Sequence, residues 1–155
     1  MRNNAASRRN IVLVGPMGSG KSHVGGLLAA RLGMDFVDLD ARIEAEAHMP
    51  INAIFASEGE AGFRARESRA LAEALARDGQ VIATGGGAVL DAGNRAAMRA
   101  RGHVVYLQVE AGEQLRRIGA DNGRPLLDVP DRAQRLADLQ ALREPLYREV
   151  ADLVF

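Results

Sequence analysis

Residues 15 to 22 read GPMGSGKS, and their spacing, G-x-x-x-x-G-K-[ST], is that of a phosphate cradle. Such a loop works because its glycines let successive backbone N–H groups turn inward, making a concave anion site. The helix that follows adds unpaired N–H donors and the positive end of its dipole. Lys21 can then reach the β- and γ-phosphates of a nucleotide, and Ser22 can ligate Mg²⁺. The nucleotide-binding set is Gly15, Met17, Gly18, Ser19, Gly20, Lys21 and Ser22. A cradle alone does not say where the phosphate goes.

Two carboxylates, Asp38 and Asp40, flank Leu39 in DFVDLD. In extended chain, residues two apart share a face, so both can point to where a terminal phosphate would lie. A like-charged pair calls for a cation, which Mg²⁺ supplies. Asp38 then lies nearer the metal and holds a Mg²⁺-bound water, and Asp40 orients an acceptor hydroxyl or takes its proton. The plainer alternative is that Asp40 caps the next helix. A third stretch, VIATGGGAVL, ends an apolar run in Gly85, Gly86 and Gly87. A turn needs one or two glycines; three point to something that approaches bare backbone.

These stretches need a scaffold, and the periodicity supplies one. Residues 10–14, 35–39, 80–83, 103–109 and 151–155 read as short buried strands. Between them lie helical patterns. The first starts at Lys21, with Val24, Leu27, Leu28, Arg31 and Leu32 on one face and Gly33 as its stop. Others cover 40–47, 51–57, about 60–77, 92–101 and 111–118. The last runs from about Asp131, with a stripe of Leu136, Leu139, Leu142 and Leu146 and a kink expected at Pro145. Strand and helix alternate throughout, which specifies an α/β fold: a three-layer α/β/α sandwich with a five-stranded, mostly parallel sheet. Ligands of such sheets bind beyond the carboxyl ends of the strands, where the cradle, the two aspartates and the glycine run all fall.

Composition narrows the class further. The 155 residues read as one domain over 10–155, after a disordered polar tail at 1–9. Lys plus Arg and Asp plus Glu number 20 each, so any anion site is local and no nucleic-acid partner is implied. The chain has no cysteine, which removes disulfides, Cys-ligated metals and thiol nucleophiles and fits a cytoplasmic setting. His23, His48 and His103 are far apart, without metal-ligand spacing. No apolar run approaches the roughly 20 residues of a membrane span.

The chain resembles the bacterial shikimate kinases, small kinases of the P-loop NTPase fold. The resemblance covers about residues 10 to 154 and is carried by GPMGSGKS, DFVDLD, IFASEGEAGFRARE, VIATGGG, VVYLQV, GRPLL and REPLYREVAD. It implies ATP-dependent, Mg²⁺-assisted phosphorylation of the 3-hydroxyl of shikimate, a cyclic triol carboxylate. Gly85, Gly86 and Gly87 would then lie against the acceptor ring, and Asp40 would meet its hydroxyl. Arg64 of the FR pair and Arg143 of R-x-P-x-Y would clamp its carboxylate, which suits the planar fork of arginine. The basic residues are nearly all arginine, so number alone decides nothing. By position alone Arg64 reads as an ion-pair partner of Glu60 or Glu67, and Arg143 as a solvated helix end.

The resemblance also makes residues 120–130 a lid. It gives Arg124 of GRPLL a catalytic place over the transferring phosphate and puts Arg117 beside the adenine. His48 and Met49 depart from it, standing where the family has a glycine-containing turn. The family also continues past ADLVF with an adenine loop and a helix. A monomer is expected. The competing readings are a kinase for another small polyol acid such as gluconate, and an idle nucleotide-binding module. Intact Lys21, Ser22, Asp38 and Asp40 speak against the idle module.

Overall fold

The computed structural model describes residues 9–118 and 131–155. Five strands, β1 (Asn10–Val14), β2 (Asp35–Asp38), β3 (Gln80–Ala83), β4 (Gly102–Tyr106) and β5 (Leu153–Val154), form one parallel sheet in the order β2-β3-β1-β4-β5. Alternate residues of the central strands pack on opposite faces, as parallel strands covered by helices must. Val12, Val14 and Ile82 enter the larger core, with Leu71, Leu75, Met98 and Tyr147. Leu13 and Val81 enter the smaller core with Ala29 and Leu107. The sandwich expected from the alternating pattern is therefore present.

Helices α1 (Lys21–Leu32), α2 (Leu39–Ala47), α3 (Ile51–Leu75), α4 (Ala92–Arg101), α5 (Ala111–Ile118) and α6 (Arg132–Val150) complete the described elements. α3 carries a break at Gly59, whose φ of 75° is not helical, so the two helical segments read from the sequence adjoin there. The two carboxylate oxygens of Glu58 accept from Arg66 across the break at 2.8 and 2.9 Å. α6 begins at an Asp131 cap and continues past Pro145 to Val150.

Several expectations change. The buried face of α1 is Lys21, Gly25 and Ala29, while Leu27 is 57% exposed and Leu32 also faces outward. Gly25 sets this face: a Cβ there would stand 2.6 Å from the Phe36 ring, so helix and sheet meet through bare backbone. On α6 the inward line runs through Leu136, Leu139, Arg143, Tyr147 and Val150, and Leu142 is 61% exposed. The leucine stripe misleads there because an arginine takes the inward position. β4 ends at Tyr106, earlier than expected, because its neighbour β1 turns away after Val14. Arg9, placed in the tail by the sequence, donates to the carbonyls of Arg99 and Gly102 at 2.9 and 2.8 Å. Residues 1–8 lie outside the described residues.

The His48–Met49 departure has a local consequence. His48 ends α2 in the left-handed region, φ 59°, and is the one non-glycine residue with positive φ among the described residues. A Cβ costs roughly 1 kcal/mol there, and glycine removes that cost at some loss of unfolded-state restriction. His48→Gly is therefore expected to stabilise the fold by about 0.5 kcal/mol. Urea unfolding checks this: the midpoint should rise with the slope unchanged.

Candidate active site

The loop after β1 adopts the conformation that its glycines permit. Gly15, Gly18 and Gly20 have φ of 147°, 80° and 91°, which side-chain-bearing residues rarely adopt. The turn carries the chain straight into the N-terminus of α1. Lys21, the only lysine of the chain, is buried, and its Nζ donates to the carbonyls of Gly15 and Pro16 at 2.7 and 2.9 Å. The outer side of the loop is pinned by α5. Gln114 Nε2 donates to Met17 O at 2.8 Å, and Arg117 Nη1 donates to Gly18 O at 3.1 Å. Ser19 is buried against the loop. Arg117 also lines a second hollow of about 490 Å³ with Ser19, Gly20, Val24, Leu107 and Phe155.

A cavity of about 350 Å³ opens between the loop and the ends of β2 and β3, lined among others by Lys21, Ser22, Asp38, Asp40, Gly85 and Gly86. Ser22 Oγ donates to Asp38 Oδ2 at 2.8 Å. The capping alternative is corrected in its residue: Asp38 caps α2, accepting from Ala41 N at 3.2 Å. β2 stops at Asp38, so Asp40 reaches the cavity from the first turn of α2 rather than from extended chain. A hydroxyl beside a carboxylate is a hard oxygen pair that suits Mg²⁺, which takes one or two protein ligands and completes its shell with water and phosphate. The described residues contain no cluster of three or more His, Cys, Asp or Glu that could hold a metal ion.

The glycine run answers to a different constraint from the loop. None of Gly85, Gly86 and Gly87 has a positive φ. What they lack is room. A Cβ on Gly85 would lie 3.0 Å from Asp40 Oδ1 and 3.0 Å from Glu67 Oε2. On Gly86 it would lie 3.3 Å from Arg143 Nη1, and on Gly87 2.5 Å from Arg64 Nη2. Two carboxylates and two guanidinium groups thus converge on three residues of bare backbone.

The two readings of Arg64 turn out to be compatible. It bonds Glu67 at 2.9 Å and Glu60 at 3.4 Å, and the same guanidinium lies over Gly87. Arg143 is no solvated helix end: it is 3% exposed, and its Nε has no hydrogen-bond partner among the described residues. Burial pulls its pKa below the ordinary arginine range, opposed by Tyr147. Tyr147 in turn donates its hydroxyl to Gly86 O at 2.6 Å, and burial raises its pKa.

Sequence reasoning named neither Tyr147 nor Gln114, and it read Glu67 only as an ion-pair partner. The tyrosine was within R-x-P-x-Y, but nothing in its spacing says that it reaches a glycine carbonyl. Arg124 and the expected lid at 120–130 lie outside the described residues.

A parallel sheet with a phosphate cradle after its central strand, and two arginines and two carboxylates gathered over a glycine run beside it, is the arrangement of a P-loop small-molecule kinase. A family model for shikimate kinase matches residues 17–155. A shikimate kinase of Stenotrophomonas maltophilia is 55% identical over 93% of this chain and 80% of its own length. The solved shikimate kinase from Acinetobacter baumannii in complex with shikimate superposes with a TM-score of 0.95 at 48% identity, covering 97% of this chain and 84% of that one. A gluconokinase from Sinorhizobium meliloti, at 24% identity and a TM-score of 0.53, covering 91% of this chain and 97% of its own, shares the fold alone. The chain belongs to the shikimate kinase family. No helix among the described residues is long and apolar enough to cross a membrane.

Glu67, 1% exposed, has a raised pKa because burial outweighs the attraction of Arg64, with Asp40 adding to the rise. The folded chain therefore holds this proton more tightly than the unfolded chain does. The stability it contributes is full below the ordinary carboxylate range and is lost as pH rises through the elevated folded value. Tm measured against pH for the wild type and Glu67→Gln should diverge across that window, the variant lacking this descending component.

Proposed function

We propose that this chain phosphorylates the 3-hydroxyl of shikimate with ATP through the residues gathered at the glycine run. The observation that carries this reading is the convergence of Arg64, Arg143 and Asp40 on Gly85–Gly87, beside the cavity that Lys21 lines. Two guanidinium groups offer a planar carboxylate paired N–H donors. Asp40, at the Gly85 end of the same run, would meet a ring hydroxyl, which it orients or deprotonates. The ring between them rests on backbone without side chains.

The backbone N–H groups of residues 15–20 and the α1 N-terminus take the phosphates, and Lys21 leaves its carbonyls to meet the β- and γ-oxygens. Ser22 and Asp38 would hold Mg²⁺, which when bound offsets negative charge on the transferring group. Little covalent chemistry remains for the protein, so catalysis is mainly positioning and charge neutralisation. Arg117 is assigned to the adenine side, where it lines the second hollow. Arg124 is assigned to the transferring phosphate. The protein is read as a monomer acting in the cytoplasm, where ATP is held.

The test is ATP consumption with shikimate, quinate, gluconate or water as acceptor. Shikimate should be consumed with the highest kcat/KM, and preference for gluconate would overturn the assignment. Within this scheme Gly87→Ala drives a methyl into Arg64. Its KM for shikimate should rise about tenfold or more, since 1.4 kcal/mol of lost carboxylate binding suffices, while KM for ATP stays near that of the wild type. Steady-state kinetics with each substrate varied separately checks the split.

A further inference from the structure

The patch at the glycine run, in which Glu67 and Arg143 are buried and Arg64 and Asp40 half-buried, is balanced in charge before any acid arrives. Arg64 and Arg143 contribute two positive charges, and Asp40 and Glu67 two negative ones. Widening the patch to Lys21 and Asp38 adds one of each. A carboxylic acid such as shikimate is ionised at neutral pH, since its group titrates near pH 4. Its entry therefore leaves a surplus negative charge in a region shielded from water. Such a surplus is costly unless it is paired or neutralised.

One residue is placed to absorb it. Glu67 is 1% exposed. Its Oε1 accepts from Arg64 Nη1 at 2.9 Å, so Glu67 and an incoming carboxylate compete for one guanidinium. Its Oε2 has no hydrogen-bond partner among the described residues and faces the Cβ position of Gly85, which Asp40 Oδ1 also faces. The charged groups around it are Arg64 on its own helix, Asp40 on α2 and Arg143 on α6. Of these, only Asp40 is a second possible proton acceptor, and it is needed ionised to meet the acceptor hydroxyl.

We propose that Glu67 is a positioning residue that takes up one solvent proton, on Oε2, when the acid substrate binds, handing the charge of Arg64 from its own carboxylate to that of the substrate. The protonated carboxyl keeps Arg64 oriented through Oε1 and gives Oε2 an O–H with which to donate. No bond other than O–H forms, and the proton returns to solvent when the product leaves. Burial already makes Glu67 hold protons more readily than an exposed glutamate does, which supports the assignment. The inference rests on the reading of the acid-binding pocket given above.

The test is isothermal titration of shikimate into the full chain without nucleotide, in buffers of differing ionisation enthalpy, between pH 6 and 9. The wild type should take up between a half and one proton per shikimate in the upper part of this range, and its Kd should rise up to tenfold per pH unit there. Glu67→Gln should bind shikimate with no uptake and a Kd nearly independent of pH, so that at pH 9 it binds at least as tightly as the wild type. Should that variant fail to fold, Glu67→Asp serves instead, its uptake displaced along the pH axis. Binding by the wild type without proton uptake would overturn the proposal, as would uptake that persists unchanged in Glu67→Gln. If the wild type binds ATP but no shikimate, the pocket assignment fails, and the proposal fails with it.

Discussion

Four charged side chains meet over three residues that have none, and the rest of the architecture is arranged around that meeting. Asp40 comes from α2, Arg64 and Glu67 from α3, and Arg143 from α6, while Gly85–Gly87 follow β3. Each of these groups taken alone into so shielded a place would cost several kcal/mol. Together they compensate one another, provided that they can approach the backbone closely. One methyl at Gly87 would occupy the place of the Arg64 guanidinium. The arrangement is therefore cooperative: the elements must dock for the charges to balance, and the charges balance only on bare backbone.

The two glycine-rich segments illustrate distinct physical uses of one residue. In the loop after β1, glycine supplies backbone angles, with positive φ at Gly15, Gly18 and Gly20. After β3 it supplies volume, since none of the three glycines there has a positive φ. The first use builds a concave array of N–H donors for phosphate. The second leaves room for the carboxylates of Asp40 and Glu67 and the guanidinium groups of Arg64 and Arg143 to approach the backbone. Both lie at the carboxyl ends of neighbouring strands, β1 and β3, so they face the same end of the sheet.

α6 shows what such a site asks of its scaffold. A helix packed on a sheet ordinarily turns leucines inward. Here Leu142 is left 61% exposed while Arg143 is buried. The helix is held in that rotation partly by Tyr147, which packs in the larger core and whose hydroxyl reaches Gly86 O. Its ring lies 5.0 Å from that of Tyr106, on the strand beside the cradle's own. The position of Arg143 is thereby tied to the sheet.

The sequence by itself determined the order of strands and helices, the phosphate cradle, the glycine run and most of the residues around it. Those features are local: backbone angles at glycine and the periods of strand and helix are written within a few residues of one another. Which faces were buried was not legible. On α1 Gly25 and Ala29 are buried, with Val24 and Leu28 packed beside them, while Leu27 and Leu32 face outward, and on α6 Arg143 displaces Leu142. Asp38 rather than Asp40 became the helix cap because β2 stopped one residue earlier than its apolar pattern suggests. The importance of Glu67 depends on Gly85 and Asp40, which belong to other elements. Only the tertiary structure decides such matters, because burial and charge balance are properties of what packs together and not of what is adjacent in the chain.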